Sequence, residues 1–230
     1  PIVTILVYYF VFGIAMRGGA ASGDGTPFVL YLVSGIVPWM YFQEGLINGT
    51  NAFLEYSYLV KKVVFDISVL PVVKLLSALV IHLFFVAFAM ILFACYGYYP
   101  DLYYLEILYY MLCLFLLILA IVYTTSSVIV FFRDMGQIVS ILLQVGIWLT
   151  PVMWDLSFLN GHSWGRIVMR ILKLNPFYYI VHGYRNVFIE KRWFWQDRLL
   201  TLYFWVFLIV CYVFSTWVFK RLKGHFADVL

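Results

Sequence analysis

"KLNPFYYIVHGYRN", residues 173–186, lies in a stretch apolar enough to enter a bilayer, yet it carries Lys173, His182, Arg185 and a helix breaker, Asn175-Pro176. Its reading decides whether the chain crosses a membrane six times or seven. Residues 167–189 include eleven Ile, Leu, Val or Phe, worth roughly −3 to −7 kcal/mol on the insertion scale, against about +2.5 to +3.5 kcal/mol for each Lys or Arg at mid-membrane. Three such cations, Arg170, Lys173 and Arg185, make a full span unfavourable. The residue before a proline is pushed out of the α region, so the helix should break near its middle. Two short helices that dip into the outer leaflet and return are predicted. Non-helical backbone at that depth needs protein or a watery cavity beneath it. An external re-entrant segment over 164–190 is therefore expected to cap a pathway.

The surrounding chain supports a membrane setting. Its 230 residues are 65% hydrophobic and only 11% charged, with a mean hydropathy of +0.97. Globular domains are about 25% charged, so lipid must be the main solvent. The fold class is all-α and polytopic. A transmembrane barrel would need many alternating segments of about ten residues, and this chain has long unbroken apolar runs instead. The net charge of +4 is divided among loops and gives no reason to propose nucleic acid. Cys95, Cys113 and Cys211 all sit in apolar runs and read as small buried hydrophobes, with no metal-type spacing.

Six spans are predicted, at about 1–16, 28–47, 70–96, 105–132, 138–154 and 199–219, within a single transmembrane domain. The first is short for a span needing about 20 residues. With no initiator Met, the true N-terminus is expected to be missing. Lys/Arg in short loops set orientation. "LVKKV", "FFRD" and "KRLKGH" are basic while the 97–104 turn is not, which puts residues 48–66, 133–136 and the C-terminus in the cytoplasm. The basic 155–198 loop is external, because long translocated segments weigh less in that rule.

Four separated motifs in order, "GIVPWMYFQEGLINGTNAFLEYSYLVKKVVFDISVLPV", "FFRDMGQIVSILLQVGIWLTPVMW", "LKLNPFYYIVHGYRNVF" and "FKRLKGHFADVL", resemble the membrane permeases of ABC exporters for polysaccharides and teichoic acids. Wall teichoic acid translocation permeases look closest, and O-antigen and capsule permeases share the motifs. The resemblance covers nearly the whole chain. It implies a six-span subunit of the bacterial cytoplasmic membrane that pairs with a second copy of itself and with two ATPase subunits, and a cytoplasmic amphipathic helix before the first span that is expected to be missing here. The implied cargo is an undecaprenyl-diphosphate-linked anionic glycopolymer. One departure is Asp66, where such permeases often carry Pro.

No GxxxxGK[ST] loop exists in the chain, so ATP and Mg are expected on the partner ATPase and no cofactor or metal in this subunit. The cytoplasmic 51–66 segment is read in two ways. Lys61 and Lys62 fit ordinary positive-inside anchoring. The resemblance favours a coupling helix whose Tyr56, Tyr58 and Phe65 dock in an ATPase groove, an apolar anchor with a charged rim. Arg133 and Asp134 are a second contact or a pair at a helix end. In span five Gln137, Ser140, Gln144 and Trp148 share one helical face, either as polar glue between helices or as the lining of an export path. Tyr8, Tyr9, Trp39 and Phe42 lie deeper and suit the C–H faces of sugars, although many aromatics mark membrane interfaces. Asn175, Pro176, Tyr178, Tyr179, Tyr184 and Arg185 are read as an external gate. Glu44 is either functional, as intramembrane acids often are, or paired with Lys61, Lys62 or Arg133. His82 reads as a hydrogen-bonded core residue.

Two rivals are weaker. An ion-coupled secondary transporter would show paired carboxylates and an internal repeat. A membrane enzyme would cluster acids or histidines, whereas Asp155, His162, His182 and Asp197 are scattered along the chain.

Overall fold

The computed structural model describes residues 2–15, 25–60, 66–154 and 164–226, and among these every regular element is helical. Helix α1 covers Ile2–Tyr8 and continues as a π-helical turn over Tyr9–Ala15. Then come α2 (Phe28–Thr50), the short α3 (Ala52–Glu55) and α4 (Ser57–Val60), and α5 (Val69–Cys95). A 3-10 turn, Leu102–Leu105, leads into α6 (Glu106–Ile129), followed by α7 (Met135–Leu149). Helices α8 (Gly165–Lys173) and α9 (Pro176–Arg185) precede α10 (Arg198–Lys223). Among the described residues three helices are long and apolar enough to cross a membrane: Val69–Cys95, Leu102–Ile129 and Arg198–Lys223.

Local chemistry explains these limits. Pro71 sits in the first turn of α5, where its missing N–H costs nothing. At the other end Gly97, at φ 88°, closes the helix while the Tyr98 N–H bonds back to the Phe93 carbonyl, the turn that a left-handed residue permits. The side chain of Asp101 accepts from the Tyr103 N–H at 3.2 Å and starts the next helical run. Asp66 accepts from both the N–H and the hydroxyl of Ser68, and Lys223 Nζ lies 3.5 Å away. Asp66 thus supplies its own turn ahead of α5.

Helix α2 is the hub. It is buried along most of its length, and it packs on α5, α6, α7 and α9. Gly45 and Gly49, four residues apart, face α6. A Cβ at Gly49 would stand 2.7 Å from Val122 Cγ2, so only glycine lets the backbones approach this closely. One residue on, the hydroxyls of Thr50 and Thr125 share a buried hydrogen bond of 2.8 Å.

Several boundaries differ from those expected. Within the first run, α geometry over Ile2–Tyr8 gives way to π geometry over Tyr9–Ala15. The fifth stops at Leu149, not 154, because Thr150 is extended (φ −91°, ψ 133°) ahead of Pro151, as a pre-proline residue prefers. Helix α2 continues to Thr50 and α10 to Lys223.

Candidate functional site

Between α1, α2 and α7 lies an open cleft of about 540 Å³. Trp39, Gln43 and Ile47 recur every four residues along α2, as do Met40, Glu44 and Asn48, so both rows point into it. Thr4 and Tyr8 line it from α1 and Ile147 from α7. Trp39 reaches across to α7, where a Cβ at Gly146 would meet its Cη2 at 3.1 Å. Glu44 is half-buried and makes no ion pair with a described residue.

The expected lining residues divide. Tyr8 and Trp39 are on the cleft. Phe42 turns away and packs on Phe177 of α9, with ring centres 4.6 Å apart, and Tyr9 packs against the core. On α7, Gln137, Gln144 and Trp148 are exposed, and the Ser140 hydroxyl donates to its own helix at the Gly136 carbonyl. That polar face lies apart from the cleft. Sequence reading missed Thr4, Gln43 and Asn48. Their four-residue spacing from Tyr8, Trp39 and Glu44 was the available signal.

The helix break at 175 is real and well made. The Asn175 side chain accepts from the Phe177 N–H at 3.0 Å, and its Nδ2 donates to Thr150 Oγ1 at 2.8 Å. Pro176 takes the first position of α9. Helix α8 exposes Ile167, Ile171 and Leu174 together with Arg166, Arg170 and Lys173. By contrast α9 is buried among α2, α6 and α10.

The expected gate residues act as braces within that packing. The Tyr184 hydroxyl meets His82 Nε2 at 2.8 Å, and the His82 ring stacks on Tyr41 at 4.8 Å. Tyr179 shares hydrogen bonds with Tyr109 (3.0 Å) and Thr201 (3.1 Å). Arg185 Nη2 donates to the Val152 carbonyl at 2.9 Å and its guanidinium lies 3.7 Å from the Tyr31 ring centre. Tyr178 stacks on His182, whose Nε2 is 3.1 Å from Asp197 Oδ2. This hydrogen bond, joined by one from Asn186, holds the Asp197 carboxyl below its ordinary value. Nothing in the sequence pattern pointed to the partnership of Glu106 with the Phe194 N–H (2.9 Å).

At the opposite end, Lys74 pairs with Glu55 and lies over the Tyr56 ring. Tyr58 is 59% exposed. Lys61, Lys62 and Phe65 fall outside the described residues. Arg133 and Asp134 are both exposed and do not pair with one another. Beneath this segment Phe53, Phe219 and Phe226 form a small separate core, with Phe53 and Phe226 ring centres 5.3 Å apart. Among the described residues no three His, Cys, Asp or Glu side chains converge to hold a metal ion.

Comparison with known proteins gives a consistent result. The family profile described as ABC-2 type transporter matches residues 1–189. The O-antigen export system permease protein RfbA of Myxococcus xanthus is 29% identical over 192 residues, covering 84% of this chain and 71% of that protein. Two proteins of the same description from Klebsiella pneumoniae are 23% and 24% identical over 234 residues, covering 100% of this chain and 84% of theirs.

Proposed function

The chain belongs to the ABC-2 type transporter family, and from that premise we propose that it is the membrane permease of an ATP-driven polysaccharide exporter in the bacterial cytoplasmic membrane. The observation that carries the reading is the cleft of α1, α2 and α7, where Tyr8 and Trp39 offer ring faces beside the hydrogen-bonding Thr4, Gln43, Glu44 and Asn48. Sugar rings need both kinds of partner. In this reading a second copy of the chain faces the cleft and closes it into a path, and the open polar side of α7 with Gln137, Ser140 and Gln144 faces the same copy.

The cargo we favour is an O-antigen-type polysaccharide carried on undecaprenyl diphosphate. Three relatives bear O-antigen export in their names, so the wall teichoic acid reading takes second place. Two partner ATPase subunits bind ATP and Mg and hydrolyse the nucleotide. They dock against the cytoplasmic segment with Tyr56 and Tyr58, and that segment passes their closure to α2 and α5. The chain crosses six times with its C-terminus in the cytoplasm, and α8 and α9 form the external re-entrant cap. The long apolar helices among the described residues support a multi-pass membrane protein, and the break at Asn175-Pro176 is the feature from which the cap is argued.

Purification of the permease from native membranes tests the proposal. A stoichiometric companion chain with a phosphate-binding loop, and ATP-dependent appearance of lipid-linked glycan on the far side of sealed vesicles, are the expected results. A chain that purifies alone and moves an ion gradient instead would overturn it.

A further inference from the structure

The three helices around the cleft carry almost no charge, as spans in a membrane usually do. Residues 2–15, 28–50 and 135–149 contain no Lys, Arg or Asp, and a single Glu, Glu44. That one acid is among the cleft-lining residues, and no described cation pairs with it. Every other polar side chain on the cleft is neutral: the hydroxyls of Thr4 and Tyr8, the amides of Gln43 and Asn48, and the indole of Trp39. The described basic residues lie elsewhere, at helix ends and in the loops.

We propose that this cleft selects an uncharged glycan and rejects a polyanionic one, with Glu44 as the rejecting group. The proposal rests on the polysaccharide-export reading and names its substrate class. The carrier diphosphate passes once for either cargo, but every phosphodiester repeat brought between these helices would leave bulk water without meeting a counter-charge from a described residue, which is costly where the surroundings are apolar. It would also meet the Glu44 carboxylate, a like charge at short range. A neutral sugar meets neither obstacle. Its hydroxyls donate to the Glu44 carboxylate and to the amide oxygens of Gln43 and Asn48, and its C–H face lies on Trp39. In the proposed pair a second Glu44 faces the same path, which strengthens the bias. Selection by an unfavourable contact with the wrong cargo is how small differences in lining chemistry produce specificity.

The test uses the permease co-purified with its ATPase and placed in lipid vesicles. Two undecaprenyl-diphosphate-linked polymers of equal length are compared, a neutral hexose polymer and a glycerol-phosphate polymer. The neutral polymer should stimulate ATP hydrolysis and cross the membrane. The polyanion should do so at least roughly tenfold less well, the size of one charge–charge contact in a hydrated site. Glu44→Gln, which keeps shape and hydrogen-bonding capacity, should narrow that gap by raising the polyanion's rate, with retention of the ATPase on purification as the check on assembly. Equal export of both polymers by the unaltered protein overturns charge selection and leaves the exporter reading standing. An unchanged gap in Glu44→Gln overturns the role of Glu44. Failure of both polymers to stimulate ATP hydrolysis or to cross overturns the exporter reading and the selection with it.

Discussion

Arg185 donates from Nη2 to the carbonyl oxygen of Val152 at 2.9 Å, across 33 positions of sequence. This bond fastens the buried α9 to the non-helical turn that follows α7. Tyr31 completes the joint, with its ring 3.7 Å from the guanidinium and its hydroxyl on the Trp154 carbonyl at 3.1 Å. Gly35 is part of the same fit, because a Cβ there would stand 2.7 Å from the Val152 oxygen. One arginine thus ties three elements, α2, α9 and the turn, at the proposed outer end of the path.

Replacing Arg185 by Ala should loosen this joint. The Val152 carbonyl would lose its donor in a fully buried setting, at about 1–3 kcal/mol, and the contact with Tyr31 would add about 0.5–2 kcal/mol. The expected outcome is a lower melting temperature in detergent and slower export, with the ATPase still bound. Arg185→Lys should recover only part, since a point charge does not reproduce the planar fork. Wild-type melting and export by both variants would discard the role of this joint.

Gly183 is a second fixed point. A Cβ at 183 would lie 2.0 Å from Tyr110 Cε1, so α9 can rest on α6 only without a side chain there. Gly183→Ala should destabilise by about 1–3 kcal/mol, the usual size of an overpacking penalty. If the Tyr110 ring is the obstacle, adding Tyr110→Ala should cost less than the two single changes summed, the signature of coupled neighbours. Thermal unfolding of the four proteins measures this, and strict additivity would show that the ring is not what excludes the side chain.

Asp197 predicts a pH effect on the loop before α10. Its carboxyl is held below the ordinary 3.8, first by the hydrogen bond from His182 and then by Asn186 and the nearby cations. Folding therefore favours the ionised form, and the sign follows from linkage. The contribution is present in full above the ordinary Asp value, falls as pH drops through it, and is gone below the lowered folded value. Asp197→Asn should remove this acid-side loss. The neighbouring Trp193 and Trp195, stacked at 4.6 Å, provide the fluorescence signal. Identical acid unfolding curves for the two proteins would refute the assignment.

Much of the architecture could be read from local rules. Uninterrupted apolar runs marked the helices at 69–95 and 198–223, and Asn175-Pro176 marked the boundary between α8 and α9. Both signals are carried by residues adjacent in the chain. The harder features depend on partners far apart. Phe42 and Trp39 sit three positions apart on α2 and both meet Phe177 of α9, yet of the two Trp39 alone also borders the cleft. Periodicity gives a residue's face but not which helix that face will meet. The same reason hid the burial of α9: its tyrosines suit a membrane interface equally well by composition, and only the arrival of Tyr109, His82 and Thr201 decides the matter. Glu44 was visible as an acid in an apolar run. That no described cation reaches it was not.

The last prediction concerns the cytoplasmic end, where exposure and burial separate two kinds of aromatic. Tyr58 is 59% exposed, whereas Phe226 is 1% exposed and packs on Phe53 of α3 and on Phe219 of α10. A docking residue should be dispensable for the fold and costly for the complex. Tyr58→Ala should leave the melting temperature of the isolated permease nearly unchanged and weaken ATPase retention by about 1–2 kcal/mol, a typical aromatic anchor in an interface. Phe226→Ala should do the reverse in kind. It opens a cavity under α3 costing about 3–5 kcal/mol, and it weakens the ATPase contact only as the segment above it loses support. Affinity measurement with the partner ATPase, set beside melting curves for both variants, separates the two. Tight ATPase binding by Tyr58→Ala would remove this segment from the proposed coupling interface and move the search to Arg133 and Asp134, which are exposed on the connection between α6 and α7.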